Sequence, residues 1–221
     1  MSKTRHAAGR DDDTYEPSCN RCNPRGPRDA QKEVPDLEIR DQCRQTNPHV
    51  GNCQAFRTRL SGPVYGVLGN HDTILMVPGL EAMGIGMLLN ESERLERDGQ
   101  SIHLAGIDDA HYYRVDDIEK AAAGIPEGAF SILLSHTPEV YRQAAHAGFD
   151  LMLSGHTHGG QICLPGRIAL TLDSVLPRYM GAGAWAYGAM SGYTSVGVGS
   201  CIEPVRLNCP PSITLHRLRR A

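Results

Sequence analysis

At 221 residues the chain is long enough to bury one sizeable core or two small ones. Its formal net charge of −3 removes any bulk electrostatic case for binding nucleic acid or an anionic membrane surface. Seven cysteines, an odd number spread without a compact framework and preceded by no apolar leader, read as reduced thiols of a cytoplasmic protein and not as a disulfide scaffold.

The first 60 residues hold six Leu, Ile, Val or Phe (Val34, Leu37, Ile39, Val50, Phe56 and Leu60) against 20 charged residues and five Pro. That is too little apolar surface to offset the entropy of ordering a chain, so residues 1–59 are expected to be disordered and 60–221 to form the domain. Cys19 and Cys22 open like a zinc knuckle, but the spacings to Cys43 and Cys53 match no common structural zinc pattern.

From Leu60 onward the texture is that of an α/β domain. A short run at 64–68 ends in Gly69-Asn70-His71-Asp72, and the apolar spacing over 74–86 predicts a buried helix despite Pro78. Asp98-Gly99, between residues 93–97 and 100–107, predicts a hairpin, because Asp-Gly supplies the positive φ angles of a tight turn. Asp116-Asp117 lead into a short capped helix over 118–123 that Gly124 and Pro126 stop. Residues 130–134 then lead through Ser135-His136 to Thr137-Pro138, a helix start, and Gly148 ends that helix before the next strand, 150–153. This β-α-β unit places His136 and His156 at the same end of neighbouring parallel strands.

The second of those strands runs into Ser154-Gly155-His156-Thr157-His158-Gly159-Gly160. In an extended segment residues two apart point the same way, so His156 and His158 are expected to present both imidazoles to one place. Beyond Gly160, short segments at 161–163, 168–172, 194–198, 205–207 and 213–218 predict a second, more antiparallel sheet, with Trp185 packed against it. The uncharged stretch 179–202 has the length of a membrane span, but six Gly and three Ser leave it too little to gain in hydrocarbon. His103, His111, Tyr112 and Tyr113 read as ordinary strand-face or surface residues.

Three uncharged runs thus end in a His, and strand ends of an open α/β sheet converge on one crevice. A shared metal site is the expectation. In that order, Gly69-Asn70-His71-Asp72, Ser135-His136 and Gly155-His156-Thr157-His158-Gly159-Gly160 resemble the later motifs of the calcineurin-like metallophosphoesterases. Gly159-Gly160-Gln161-Ile162 and Pro204-Val205-Arg206-Leu207 are similar to the bacterial branch that contains the UDP-2,3-diacylglucosamine pyrophosphatases. The resemblance implies a four-layer α/β/β/α sandwich with two divalent metal ions at the strand ends, and hydrolysis of a phosphoester, whether monoester, diester or pyrophosphate, on a small-molecule or lipid-linked substrate. It gives Asn70, His136 and His156 to one metal and His158 to the other. His71 becomes the group that meets the phosphate and assists the leaving oxygen, with Asp72 orienting it. The mixed nitrogen and oxygen ligands suit Mn, Fe or Zn.

The family begins with an Asp-x-His and a Gly-Asp, and neither precedes Asn70 here. The N-terminal strands are therefore expected to be missing, one ion is expected in place of two, and activity is expected to be impaired. The alternatives are a non-catalytic phosphoesterase-fold module, or a truncated product. Asp109-Ala110-His111 has the letters of the first motif but follows Asn70, so it is not counted. Asp41 lies near the interval of the bridging Asp and reads as a solvated residue of a polar tail.

Overall fold

A computed structural model of the chain describes residues 54, 55 and 57–219. The expected disorder of residues 1–59, the four cysteines there and Asp41 therefore fall almost wholly outside the described residues.

Strand β1 (Val64–Gly66) ends at the turn that carries Asn70, His71 and Asp72. A 3-10 turn (Ile74–Met76) follows and runs into helix α1 (Val77–Ala82), with Pro78 in the first turn, where its missing N–H costs nothing. Gly84, at φ 76°, ends the helix, and β2 (Ile85–Met87) pairs in parallel with β1. The single buried helix expected over 74–86 is thus a 3-10 turn, a short helix and the start of a strand. Its apolar spacing buries Met76 and Leu80, while Ile74 and Leu75 stay about 60% exposed. The helix stops where a left-handed glycine breaks it and a β-branched residue starts a strand.

Strands β3 (Glu91–Arg97) and β4 (Gln100–Gly106) form the hairpin read from Asp98-Gly99, whose φ angles are 52° and 73°. Helix α2 (Ile118–Ala122) is capped as expected, the Asp117 carboxylate accepting from Lys120 N–H at 2.8 Å. Then come β5 (Ser131–Ser135), a 3-10 turn capped by Thr137, helix α3 (Tyr141–His146) and β6 (Leu151–Ser154). β5 and β6 are parallel with Ser135 opposite Ser154, so the unit aligns the two ends that lead to His136 and His156.

The chain beyond Gly160 departs from expectation. β7 (Cys163–Leu164) and β8 (Ile168–Ala169) make a separate antiparallel pair. β9 (Gly183–Tyr187) and β10 (Met190–Thr194) form a hairpin that joins the first sheet, β10 lying parallel to β6. The result is a six-stranded sheet in the order β3-β4-β5-β6-β10-β9. No second antiparallel sheet of the expected size forms among the described residues. Trp185 belongs to β9 itself, where its indole crosses Gly192 of β10 and its Nε1–H donates to Thr194 Oγ1 at 2.9 Å. A Cβ at residue 192 would meet that ring at 2.3 Å, so glycine is what lets the hairpin close over its own tryptophan. Residues 213–218 alternate in the sequence but pair with no strand among the described residues.

Alternation within β4, β5 and β6 sends Ala105, Leu133 and Met152 to one face and Leu104, Ile132 and Leu151 to the other. Helices α2 and α3 cover the first face, where Ile118, Tyr141 and Ala144 are buried. The second face meets Tyr65, Val67 and Leu88 around β1 and β2, and the 3-10 turn and α1 pack beyond through Met76 and Leu80 with Met87. This mixed α/β architecture keeps the expected layer order, with a second sheet of two parallel strands. Among the described residues no helix is long and apolar enough to cross a membrane.

Candidate metal centre

The site is built where β5, β6 and the turn after β1 end together. His136 Nε2 lies 2.8 Å from Asn70 Oδ1 and 3.1 Å from His156 Nδ1. Asn70 Oδ1 is an acceptor. On the far side of the His156 ring Nε2 stands 2.9 Å from the carbonyl of Asp173, and a carbonyl can only accept, so Nε2 carries the proton and Nδ1 keeps its lone pair. Both contacts therefore converge on the single Nε2 proton of His136. Bonds of about 2.1 Å at right angles around one cation put neighbouring donor atoms about 3 Å apart, so each of these two contacts has the spacing of a pair of donors on one ion.

Burial keeps the rings neutral. It is the main cause that holds the His136 imidazole down to about 4, with the adjacent His156 adding to it. Burial lowers His156 and His158 as well, and the Arg206 guanidinium lowers His158 further. Neutral imidazole is the form that ligates a metal.

Gly69 explains why the turn after β1 can come so close. A Cβ there would stand 2.6 Å from the His136 ring, too near for any side chain. Gly69→Ala should therefore push His136 off Asn70 and His156, lowering metal affinity at least as much as loss of an outer-sphere contact, about 10- to 100-fold. Isothermal titration with Mn(II) would check this, and unchanged affinity would show that the ring has room to move.

Two expected geometries are not observed. Asp72 was expected to orient His71, but its carboxylate accepts from Gly69 N–H at 2.8 Å and so closes its own turn. His71 is exposed, with Nε2 3.6 Å from Cys201 Sγ. The loop after β6 is not extended either. His156 and His158 take left-handed φ (66° and 49°), followed by positive φ at Gly159, Gly160 and Gln161. The reversal aims the two imidazoles differently, and His158 Nδ1 lies 3.2 Å from the Arg206 guanidinium, which can only donate.

Arg206 also donates to the carbonyls of Val196 (2.6 Å) and Gly199 (2.7 Å), and the Gln161 amide grips Cys201 through both its backbone N–H (2.7 Å) and its carbonyl (2.9 Å). These contacts give a physical role to residues that the sequence offered only as a resemblance.

Residues outside the expected set stand beside His156. The His111 ring lies 4.2 Å from it, centroid to centroid, and His111 Nδ1 is 2.7 Å from Glu139 Oε2. Asp173 adds a carboxylate. The signal for His111 was available: β4 is parallel to β5, so the residues after β4 arrive at the same end as His136. Reading β4 only as half of a hairpin hid this.

No family model matches the chain, and no solved structure matches it. Among curated proteins, phosphodiesterase YaeI of Escherichia coli is 31% identical over 183 residues, 76% of this chain and 64% of its own. The uncharacterized metallophosphoesterases YkoQ and YkuE of Bacillus subtilis are 30% and 32% identical over 163 and 159 residues, 70% and 69% of this chain and 60% and 55% of theirs. This chain belongs to the calcineurin-like metallophosphoesterases. As a metallophosphoesterase it spans under two thirds of the length of these relatives.

Proposed function

We propose that this metallophosphoesterase chain hydrolyses phosphoester bonds with water activated by one divalent cation, held by Asn70, His136 and His156. The observation that carries the reading is the approach of His136 Nε2 to within 2.8 and 3.1 Å of two other donor atoms from separate strand ends. A cation held there supplies Lewis-acid polarisation of a phosphoryl oxygen and lowers the pKa of water. The donor set of two nitrogens and one oxygen suits Mn, Fe or Zn.

The chain's own residues do the rest. Asn70 and His71 are consecutive on a turn that Asp72 holds shut, so a cation ligand and a proton donor move as one piece. As water attacks phosphorus and the ester P–O bond breaks, the His71 imidazole gives its proton to the departing oxygen. His158 joins a second cation only after Arg206 releases Nδ1, so one ion per chain is the working stoichiometry. The odd number of cysteines, spread without a compact framework in the sequence, supports a reducing, cytoplasmic setting. Small-molecule and lipid-linked phosphoesters both fit this chemistry.

Bis(p-nitrophenyl) phosphate with Mn(II) or Zn(II) is the direct test. Turnover should be measurable, and His71→Ala should lower it by about 10²- to 10⁴-fold with bound metal unchanged. Unaltered turnover would remove His71 from the mechanism. A second reading, a phosphoester-binding module without turnover, is favoured by the missing Asp-x-His and Gly-Asp before Asn70. It predicts cation binding with no hydrolysis of any phosphoester.

A further inference from the structure

His156 stands where two groups of metal-capable side chains meet. Its Nδ1 faces His136 and Asn70. Its Nε2 faces Asp173, and one ligand atom from each of His111, His156 and Asp173 lies within 4.8 Å of the others.

The outer group is built with the features of a metal seat. The Glu139 carboxylate, which only accepts, takes a hydrogen bond from Nδ1–H of His111 at 2.7 Å, so the neutral ring keeps its lone pair on Nε2 to ligate. A carboxylate behind an imidazole is the arrangement that fixes metal-binding histidines. Glu139 is itself held, its other oxygen accepting from Val175 N–H at 2.7 Å and Oε2 from the Thr137 hydroxyl at 3.3 Å. The fully buried Asp109 carboxylate pins the His111 backbone by accepting the N–H groups of His111, Tyr112 and Tyr113 at 3.3, 2.7 and 2.7 Å. His111, Glu139, Asp173 and Arg178 line a cavity of about 410 Å³, and the His111 ring in that lining lies 4.2 Å from the ring of His156, centroid to centroid.

A neutral imidazole has one N–H and one lone pair, so His156 can serve only one side at a time. We propose that His111, Asp173 and Nε2 of His156 form an outer seat for a divalent transition-metal cation, occupied as an alternative to the inner seat of Asn70, His136 and Nδ1 of His156. When the ion moves outward, the His156 proton shifts from Nε2 to Nδ1, so the Asp173 carbonyl loses its donor, and His136 Nε2, which carries a lone pair once the ion has left it, accepts from Nδ1–H. The imidazole stays neutral throughout. This inference rests on the inner seat proposed above, and its test separates the two.

The full chain, stripped with a chelator, is titrated with Mn(II) or Zn(II) alone by equilibrium dialysis. Wild type and His111→Ala should each bind one ion with the same affinity. His136→Ala should still bind one ion, about 10- to 100-fold more weakly. Adding His111→Ala to it should abolish saturable binding, and adding Glu139→Gln should weaken it by a further 10- to 100-fold or so, the usual cost of losing an outer-sphere partner. Melting curves confirm folding, and His136→Leu replaces the alanine variant if that one melts early. Equal absence of binding in His136→Ala and the double variant would overturn the outer seat and leave the inner one standing. Two ions per wild-type chain would overturn the alternation. No binding by wild type would overturn both seats.

Discussion

His156→Ala should bring metal binding to background and abolish any hydrolysis, with the fold intact. No other single change is expected to do this, because among the described residues His156 is the one shared by both proposed seats, with Nδ1 toward His136, Nε2 toward Asp173 and its ring against that of His111. The ring lies at the end of β6 and outside the apolar clusters, so its loss leaves the core as it was. Metal analysis after chelation and reloading is the measurement, with far-UV circular dichroism as the control. Stoichiometric metal retained by this variant would show that the ion sits elsewhere, with Asp41 and the other residues before Gln54 the first place to look.

Met152→Ala should cost about 2–5 kcal/mol, the range for truncating a large side chain in a core. Met152 is fully buried in β6, between β5 and β10, on the face that α2 and α3 cover. Its neighbour Leu153 points to the other face and is only partly buried, so Leu153→Ala should cost clearly less. In a chain of this size each kcal/mol lowers Tm by roughly 2–4 °C, so urea or thermal melts resolve the two. Equal losses would mean that the two faces of the sheet are equally well covered.

What the sequence made legible was local chemistry. Asp98-Gly99 dictates its own φ angles, Thr137-Pro138 starts a helix wherever it stands, and the β5-α3-β6 unit follows from spacing and handedness. The convergence of Asn70, His136 and His156 was legible for the same reason, since each follows a strand and parallel strands share an end. What escaped depended on backbone direction or on distant segments. His158 was read from an extended chain, whereas positive φ at His156 and His158 turns it toward Arg206. His111 reaches the site because β4 is a central parallel strand, and Asp173 because a loop returns from beyond β8, and neither fact is carried by residues near them in sequence. The hairpin of β9 and β10 was missed because its strands, Gly-Ala-Trp-Ala-Tyr and Met-Ser-Gly-Tyr-Thr, lie in a glycine-rich stretch and show no regular apolar alternation to read.

The two ends of the six-stranded sheet differ in a way that bears on how the molecule behaves in a crowd. β3, at one end, is Glu-Ser-Glu-Arg-Leu-Glu-Arg, and a foreign strand trying to add there would have to bring alternating charges into register. β9, at the other, is Gly-Ala-Trp-Ala-Tyr and sets no such condition. Growth of the sheet by recruitment of another chain is therefore directional. Among the described residues the open edge is the tryptophan end, and a single lysine at Ala184 or Ala186, both on the exposed side of β9, should close that template without touching β5 or β6.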